Sequence, residues 1–386
     1  MYIKRFLEED IGKYLSKPEI IAIIGPRQSG KTTLLKHFYE NLKNAIFLDF
    51  EDRQTLELFS EDIDSFIKLY VRKYDYVFID EFQYAQEGGK NLKNIYDQCK
   101  AKIIISGSSA SELSIQSIKF LVGRIFVFTL YPFSFAEYLS YKNKGLYEIW
   151  SGGKLTKPVI DRITPFFKEF CIYGGYPRVI LSKDNSEKEV VLRNIYNTYF
   201  LKEIKEILNL PEDYKLSKLI NALALQIGNI VNYKELSDIT GFKHKDLLKY
   251  FNILEKTFVV ARSSPFYSNK RTELVKSPKT FFLDSGFRNA VIKNFQAIEN
   301  RPDKGSLYEN FVASELLKAG ADIKYWRTKS MAEVDFVVEK NSKIMPIEVK
   351  SSLVRPNFTK SFLSFIEKYK PAKSLILSEK LFAEKN

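Results

Sequence analysis

Short runs of consecutive apolar residues, spaced by segments of helical periodicity, dominate the first 130 positions. Glu19-Ile-Ile-Ala-Ile-Ile24, Asn44-Ala-Ile-Phe-Leu-Asp49, Tyr74-Asp-Tyr-Val-Phe-Ile-Asp80 and Ala101-Lys-Ile-Ile-Ile-Ser106 have the length and β-branched content of buried strands. A fifth such run begins at Leu121, while Thr33-Leu-Leu-Lys-His-Phe-Tyr39 repeats its apolar positions at helical spacing. Strands alternating with helices predict an α/β domain, a parallel sheet flanked by helices. The pattern then changes. Residues 215–262 predict helix, turn, helix ended by Gly241, a third helix from Lys243 and an extended segment at Phe258. Residues 305–317 read as an amphipathic helix, and 332–339 and 344–352 as two strands joined by a short turn. The organisation expected is a first domain over 1–140, a helical lid or connector over 141–212, a third region over 213–275 and a small α/β domain over 276–386.

Composition narrows the class. With 45% hydrophobic and 15% aromatic residues, the 386-residue chain can bury several cores. Its apolar runs are too short to span a membrane, and Met1-Tyr-Ile-Lys-Arg-Phe-Leu-Glu-Glu-Asp10 lacks a signal-peptide core. Two cysteines and two histidines argue against a disulfide scaffold and a histidine-rich metal centre, so a reduced, cytoplasmic protein is expected. Residues 1–100 carry 15 basic and 17 acidic side chains, whereas 101–200, 201–300 and 301–386 are each +5, giving the net +13. The basic surface therefore lies beyond the first hundred residues, and it favours a polyanionic partner such as nucleic acid.

Gly25-Pro-Arg-Gln-Ser-Gly-Lys-Thr32 is a complete GxxxxGK[ST] phosphate loop between a predicted strand and a predicted helix. Gly25, Pro26, Arg27, Gln28, Ser29, Gly30, Lys31, Thr32 and Thr33 are the nucleotide-binding candidates: backbone N–H groups and the helix dipole face the phosphates. Lys31 would reach the β- and γ-phosphates of ATP, and the Thr32 hydroxyl would ligate Mg²⁺. The third apolar run closes on Asp80-Glu81, the Walker B shape: Asp80 holds Mg²⁺ through water and Glu81 orients the attacking water as general base. A merely solvated Glu81 is the lesser alternative. Ser108 and Ser109, at the end of the fourth run, are candidate γ-phosphate sensors, with Ser106 ranked behind them as closer to the strand interior. Arg124 precedes the fifth run, either serving a neighbouring subunit's nucleotide or tied to a local carboxylate.

GPRQSGKTTLL, YVFIDEFQYA, ISGSSASEL and GRIFVFTLYPFSFAEYL together resemble the AAA-type ATPases of archaea and bacteria, and GGYPRVIL at 174–181 is similar to the same group. The resemblance implies a sheet whose fourth strand lies between the phosphate-loop and Walker B strands. It also implies ATP and Mg²⁺ as cofactors and a homo-oligomer, a hexameric ring among the arrangements. Arg178 stands where a second nucleotide sensor would, although the Gly174-Gly-Tyr-Pro177 turn also suits a structural role.

The 215–262 segment resembles a winged helix. On that reading Lys243, Lys245 and Lys249 face a DNA groove while Lys270 and Arg271 touch phosphates; such modules also pack subunits. Asp335 followed by Glu348-Val-Lys350 is similar to the D…ExK signature of the PD-(D/E)XK nuclease fold, with Glu309 as the extra helical carboxylate. A period of two puts Glu348 and Lys350 on one strand face. A second Mg²⁺ or Mn²⁺ would sit on Glu309, Asp335 and Glu348 while Lys350 helps activate water. The fold is also reused for binding or assembly without cleavage. Asp284, in Phe281-Phe-Leu-Asp-Ser-Gly-Phe-Arg288, suggests a turn or helix cap. The leading expectation is an ATPase acting on DNA, branched DNA included. The alternative is a nucleotide-dependent switch whose C-terminal half binds a protein partner.

Overall fold

The apolar runs of the first 130 residues pair into one parallel sheet. In the computed structural model, which describes residues 2–85, 88–108, 118–153, 155–200, 213–269, 271, 273, 276–341, 343–353, 358–379 and 382–385, the strands are β1 (Ile20–Gly25), β2 (Ala45–Asp49), β3 (Tyr76–Asp80), β4 (Lys102–Ser108) and β5 (Ile125–Thr129). Their order is β2-β3-β4-β1-β5, so β4 lies between the phosphate-loop strand and the strand ending in Asp80, as expected. The fifth strand starts later than the sequence suggests, because Ile118–Leu121 forms a 3-10 turn first. Both faces are covered. Phe50, Phe59, Phe66 and Phe82 pack with Ile20, Ile79 and Ile105 on one side. Leu34 and Leu35 of α2 (Lys31–Asn41) pack with Ile21, Phe78 and Ile104 on the other, with Ile11 of α1 (Leu7–Gly12). Each such burial contributes roughly 1.5–3 kcal/mol.

The chain divides into two compact units, Met1–Phe133 with Lys256–Phe258, and Ser134–Glu255 with Val259–Asn386. In the second, the helices Asp213–Leu225, Tyr233–Thr240 and His244–Lys256 are followed by β6 (Val260–Pro265) and β7 (Lys279–Phe282), an antiparallel pair. Gly241 ends its helix at φ 72, a left-handed cap. This hairpin does not stand apart. β6 also pairs in parallel with β8 (Ile323–Arg327), and the sheet continues through β9 (Glu333–Lys340), β10 (Lys343–Lys350), β11 (Ser374–Ser378) and β12 (Phe382–Lys385) in the order β12-β11-β10-β9-β8-β6-β7.

Two glycine motifs of the second unit lock together. Asp284 caps the helix Ser285–Val291 by accepting from the Phe287 N–H at 2.8 Å, and its other oxygen accepts from the Gly175 N–H at 2.7 Å. The cap role is the one the sequence suggests; the bond to the Gly174-Gly-Tyr-Pro turn, at the end of the helix Lys157–Tyr173, is not legible there. Asn289 donates to the Cys171 and Ile172 carbonyls, finishing the same joint.

Candidate nucleotide site and carboxylate cluster

The phosphate loop folds as its residues dictate. Gln28 and Gly30 take positive φ, 61° and 97°, and Gly25 ends β1 so close to the Leu130 carbonyl that a β-carbon would lie 2.2 Å from that oxygen. Lys31, 6% exposed, donates to the Gly25 and Pro26 carbonyls at 3.1 and 3.0 Å, holding its ammonium across the mouth of the loop. Thr32 is half-buried and Thr33 exposed at the start of α2. Arg27, exposed, hydrogen-bonds Tyr84, whose phenol is pushed up chiefly by burial. The Ser29 hydroxyl is buried with no hydrogen-bond partner among the described residues. A Ser29→Ala protein is therefore expected to be as stable as the parent or about 1 kcal/mol more so in a thermal melt of the nucleotide-free protein.

Across the sheet, Asp80 is buried at the end of β3 and accepts a hydrogen bond from the Ser106 hydroxyl of β4. Ser106, ranked last among the sensors, is thus the serine that touches the Walker B carboxylate. Ser108 closes β4 opposite Gly25 in register, and Ser109 lies outside the described residues. Glu81 follows in a left-handed conformation, φ 52°, and the Gln83 amide donates to it. A buried carboxylate beside a hydroxyl, with a threonine at a helix start, suits a hydrated Mg²⁺ bridging to phosphate. Arg124 precedes β5 at the opposite end of the strands from Gly25, paired with Asp97 at 3.3 Å. Arg178 of the second unit is held by Glu187 at 2.6 Å.

In the second unit, β9 and β10 pair antiparallel with Phe336 opposite Ile347, which brings Asp335 beside the Glu348-Val-Lys350 stretch. Asp335 accepts from the Val349 N–H at 2.7 Å, and Lys350 pairs with Glu348 at 2.6 Å. Burial, then the neighbouring Asp335 charge, pushes the Glu309 carboxyl up to about 8. Asp335 and Glu348 are also raised, burial first. Lys279, missed in the sequence, is buried and bridges to Glu333 at 2.5 Å, and its charge tempers Glu309 and Asp335. The sequence signature thus converges in space, but the second metal expected there is not supported. Among the described residues no group of three or more His, Cys, Asp or Glu side chains is arranged to hold an ion. One Asp335 oxygen is taken by a backbone N–H and one Glu348 oxygen by Lys350. Because Glu309 holds its proton more tightly folded than unfolded, its contribution to stability is full below its ordinary value and lost as pH rises through about 8. Unfolding midpoints should therefore fall as pH rises from about 5 to about 8, and Glu309→Gln should flatten that fall.

Lys243, Lys245 and Lys249 are exposed along the helix His244–Lys256 and the turn before it, while Leu247 and Phe251 face the core. Arg271 is exposed and Lys270 lies outside the described residues. Among the described residues no helix is long and apolar enough to cross a membrane.

Comparison with known proteins places this geometry. Residues 17–139 match the model of an AAA domain; residues 164–297 and 304–385 match two domains of unknown function. An uncharacterized protein of Haemophilus influenzae is 28% identical over 349 residues, 86% of this chain and 82% of its own length. An uncharacterized protein of Methanocaldococcus jannaschii is 24% identical over 353 residues, covering 86% and 75%. The Walker-type ATPase PABY2304 of Pyrococcus abyssi shares the fold, with a TM-score of 0.51 at 16% identity over 75% of this chain and 96% of that one. The AAA-domain match spans all five strands of the parallel sheet, β1 to β5.

Proposed function

We propose, from the match to an AAA domain and the geometry of the phosphate loop, that the protein is a Mg²⁺-dependent ATPase that binds DNA and remodels or processes it. The observation that carries the nucleotide chemistry is the pairing of a complete phosphate loop on β1 with a buried Asp80 two strands away. Lys31 and the loop N–H groups would hold the β- and γ-phosphates; Thr32 and Asp80, the latter steadied by Ser106, would hold Mg²⁺, which when bound would supply charge neutralisation on the phosphates. Glu81, steadied by Gln83, accepts a proton from the attacking water. Arg124, at the far end of the strands, serves the nucleotide of a neighbouring copy in a homo-oligomer.

The DNA reading is supported by the surplus of basic residues outside the first hundred and by three exposed lysines on one helix and its leading turn. The helix–turn–helix–hairpin order of residues 213–282 supports a winged-helix reading, in which this helix would enter the groove. Glu309, Asp335, Glu348 and Lys350 would then act on the phosphodiester or only grip it. A second reading, a nucleotide-dependent switch with a protein partner, is favoured by exposed apolar side chains on two neighbouring helices: Leu225 is 68% exposed, with Tyr214 and Ile239 beside it.

Labelled linear, forked and four-way DNA, with Mg²⁺ or Mn²⁺ and with or without ATP, separates these on native and denaturing gels. Binding that weakens steeply with salt is expected, reflecting counterion release. Scission that disappears in Asp335→Ala would make the cluster a nuclease centre, and binding without scission a gripping site. No interaction with any of these DNAs would overturn the DNA reading in favour of the partner switch.

A further inference from the structure

Arg5 belongs to none of the motifs above, yet it is 5% exposed in a segment that looks like an ordinary charged leader. Its guanidinium donates to two carbonyls: through Nη1 to Ser29 in the phosphate loop at 3.0 Å, and through Nη2 to Tyr131 at 2.7 Å. The guanidinium carbon lies 4.2 Å from the centre of the Phe133 ring. The segment carrying it is clamped in turn. Glu8 accepts from the Arg5 backbone N–H and, at 2.5 Å, from the Tyr2 hydroxyl. Tyr2 stacks on His37 of α2 with ring centres 3.8 Å apart.

A trans peptide group is planar, with its C=O and N–H pointing in opposite directions. Holding the Ser29 carbonyl toward Arg5 therefore aims the Gly30 N–H away from it, and fixes one of the loop's donors before any ligand arrives. The second carbonyl belongs to the last stretch of the first unit before the chain passes to Ser134. There the Tyr131 ring also meets Phe258 edge-on, with centroids 5.5 Å apart, two residues past the end of the helix His244–Lys256. One planar side chain with a forked donor set spans both carbonyls, which a lysine's single ammonium cannot do with the same geometry.

We infer that Arg5 is a positioning residue for the phosphate loop: it sets the Ser29–Gly30 peptide in its phosphate-receiving orientation and ties that peptide to the Tyr131–Phe258 contact. The inference rests on the nucleotide reading of the loop and extends it. Arg5→Met keeps an apolar stem against Phe133 and removes both hydrogen bonds. In the full-length protein, titrated with a fluorescent ATP analogue, Arg5→Met should weaken binding about tenfold or more and Arg5→Lys by an intermediate amount, at temperatures well below each melting midpoint. Hydrogen exchange supplies a readout that a purely structural role would not move. In the parent protein, ATP should slow exchange both in the loop peptide, residues 25–34, and in peptides covering 131–134 and 256–260. In Arg5→Met, at an ATP concentration that saturates the weakened site, the loop should still be protected and the other two peptides should not. Parent-like affinity in Arg5→Met overturns the positioning role. Protection confined to the loop in the parent protein, a test that needs no variant to fold, overturns the tie. Failure of the nucleotide reading itself would look different: the parent protein would not bind the analogue, or Lys31→Ala would bind it equally well.

Discussion

A Lys31→Ala protein is expected to remain folded and to lose ATP turnover by roughly a hundredfold to a thousandfold, the usual cost of removing one preorganised charge from a transition state. The ammonium is held near the loop by the Gly25 and Pro26 carbonyls, so the positive charge is in place before phosphate arrives and needs little reorganisation. Removing it costs those two hydrogen bonds, about 1–3 kcal/mol of stability, small beside the apolar clusters on both faces of the sheet. Phosphate release and a thermal melt, measured together, check the claim. A Glu81→Gln protein separates the steps, because it should bind ATP as the parent does and hydrolyse it poorly. Turnover at the parent rate in Glu81→Gln would remove Glu81 from the role of base.

The largest effect on stability is expected at Gly286. A β-carbon there would lie 2.0 Å from the Tyr173 carbonyl oxygen, 2.2 Å from its carbon and 2.8 Å from the Gly174 nitrogen. All three are backbone atoms at the end of the helix Lys157–Tyr173, so no side chain can swing aside. Gly286→Ala must push the two helices apart and with them the Asp284 bond to Gly175, at about 3 kcal/mol or more. Gly305 is the control. It lies in the first turn of the helix Lys304–Lys318 with nothing within 4 Å of the added carbon, and alanine there should be neutral or stabilise by up to about 1 kcal/mol. Chemical denaturation of the two variants side by side tests the pair, and similar midpoints would refute the packing argument.

What the sequence makes legible is what depends on neighbours along the chain. The phosphate loop is read from eight consecutive residues, the sheet from five apolar runs, and the cap at Asp284 from the residues it precedes. The second unit's signature, Asp335 with Glu348 and Lys350, is legible because a strand's period of two fixes which side chains share a face. What escapes depends on distance in space. Ser106 looks interior to its strand, yet β3 and β4 lie side by side and bring its hydroxyl to Asp80. Lys279 is far from Glu333 in sequence, and Arg5 is paired with Ser29 and Tyr131 by folding alone. The metal expected on the three carboxylates is not supported, and spacing cannot reveal that a backbone N–H takes one Asp335 oxygen and Lys350 one Glu348 oxygen.

The parallel pairing of β6 with β8 bears on how the chain can be divided. Severing the chain near residue 275, the boundary that the pattern of predicted elements suggests, would strip β7 of the strand it pairs with and lay bare the rim of β8. Two unprotected rims of this kind invite intermolecular strand addition. Pieces expressed separately should therefore precipitate or reassociate, and the stretch from the helix–turn–helix to the last strand can be inherited or transplanted only whole.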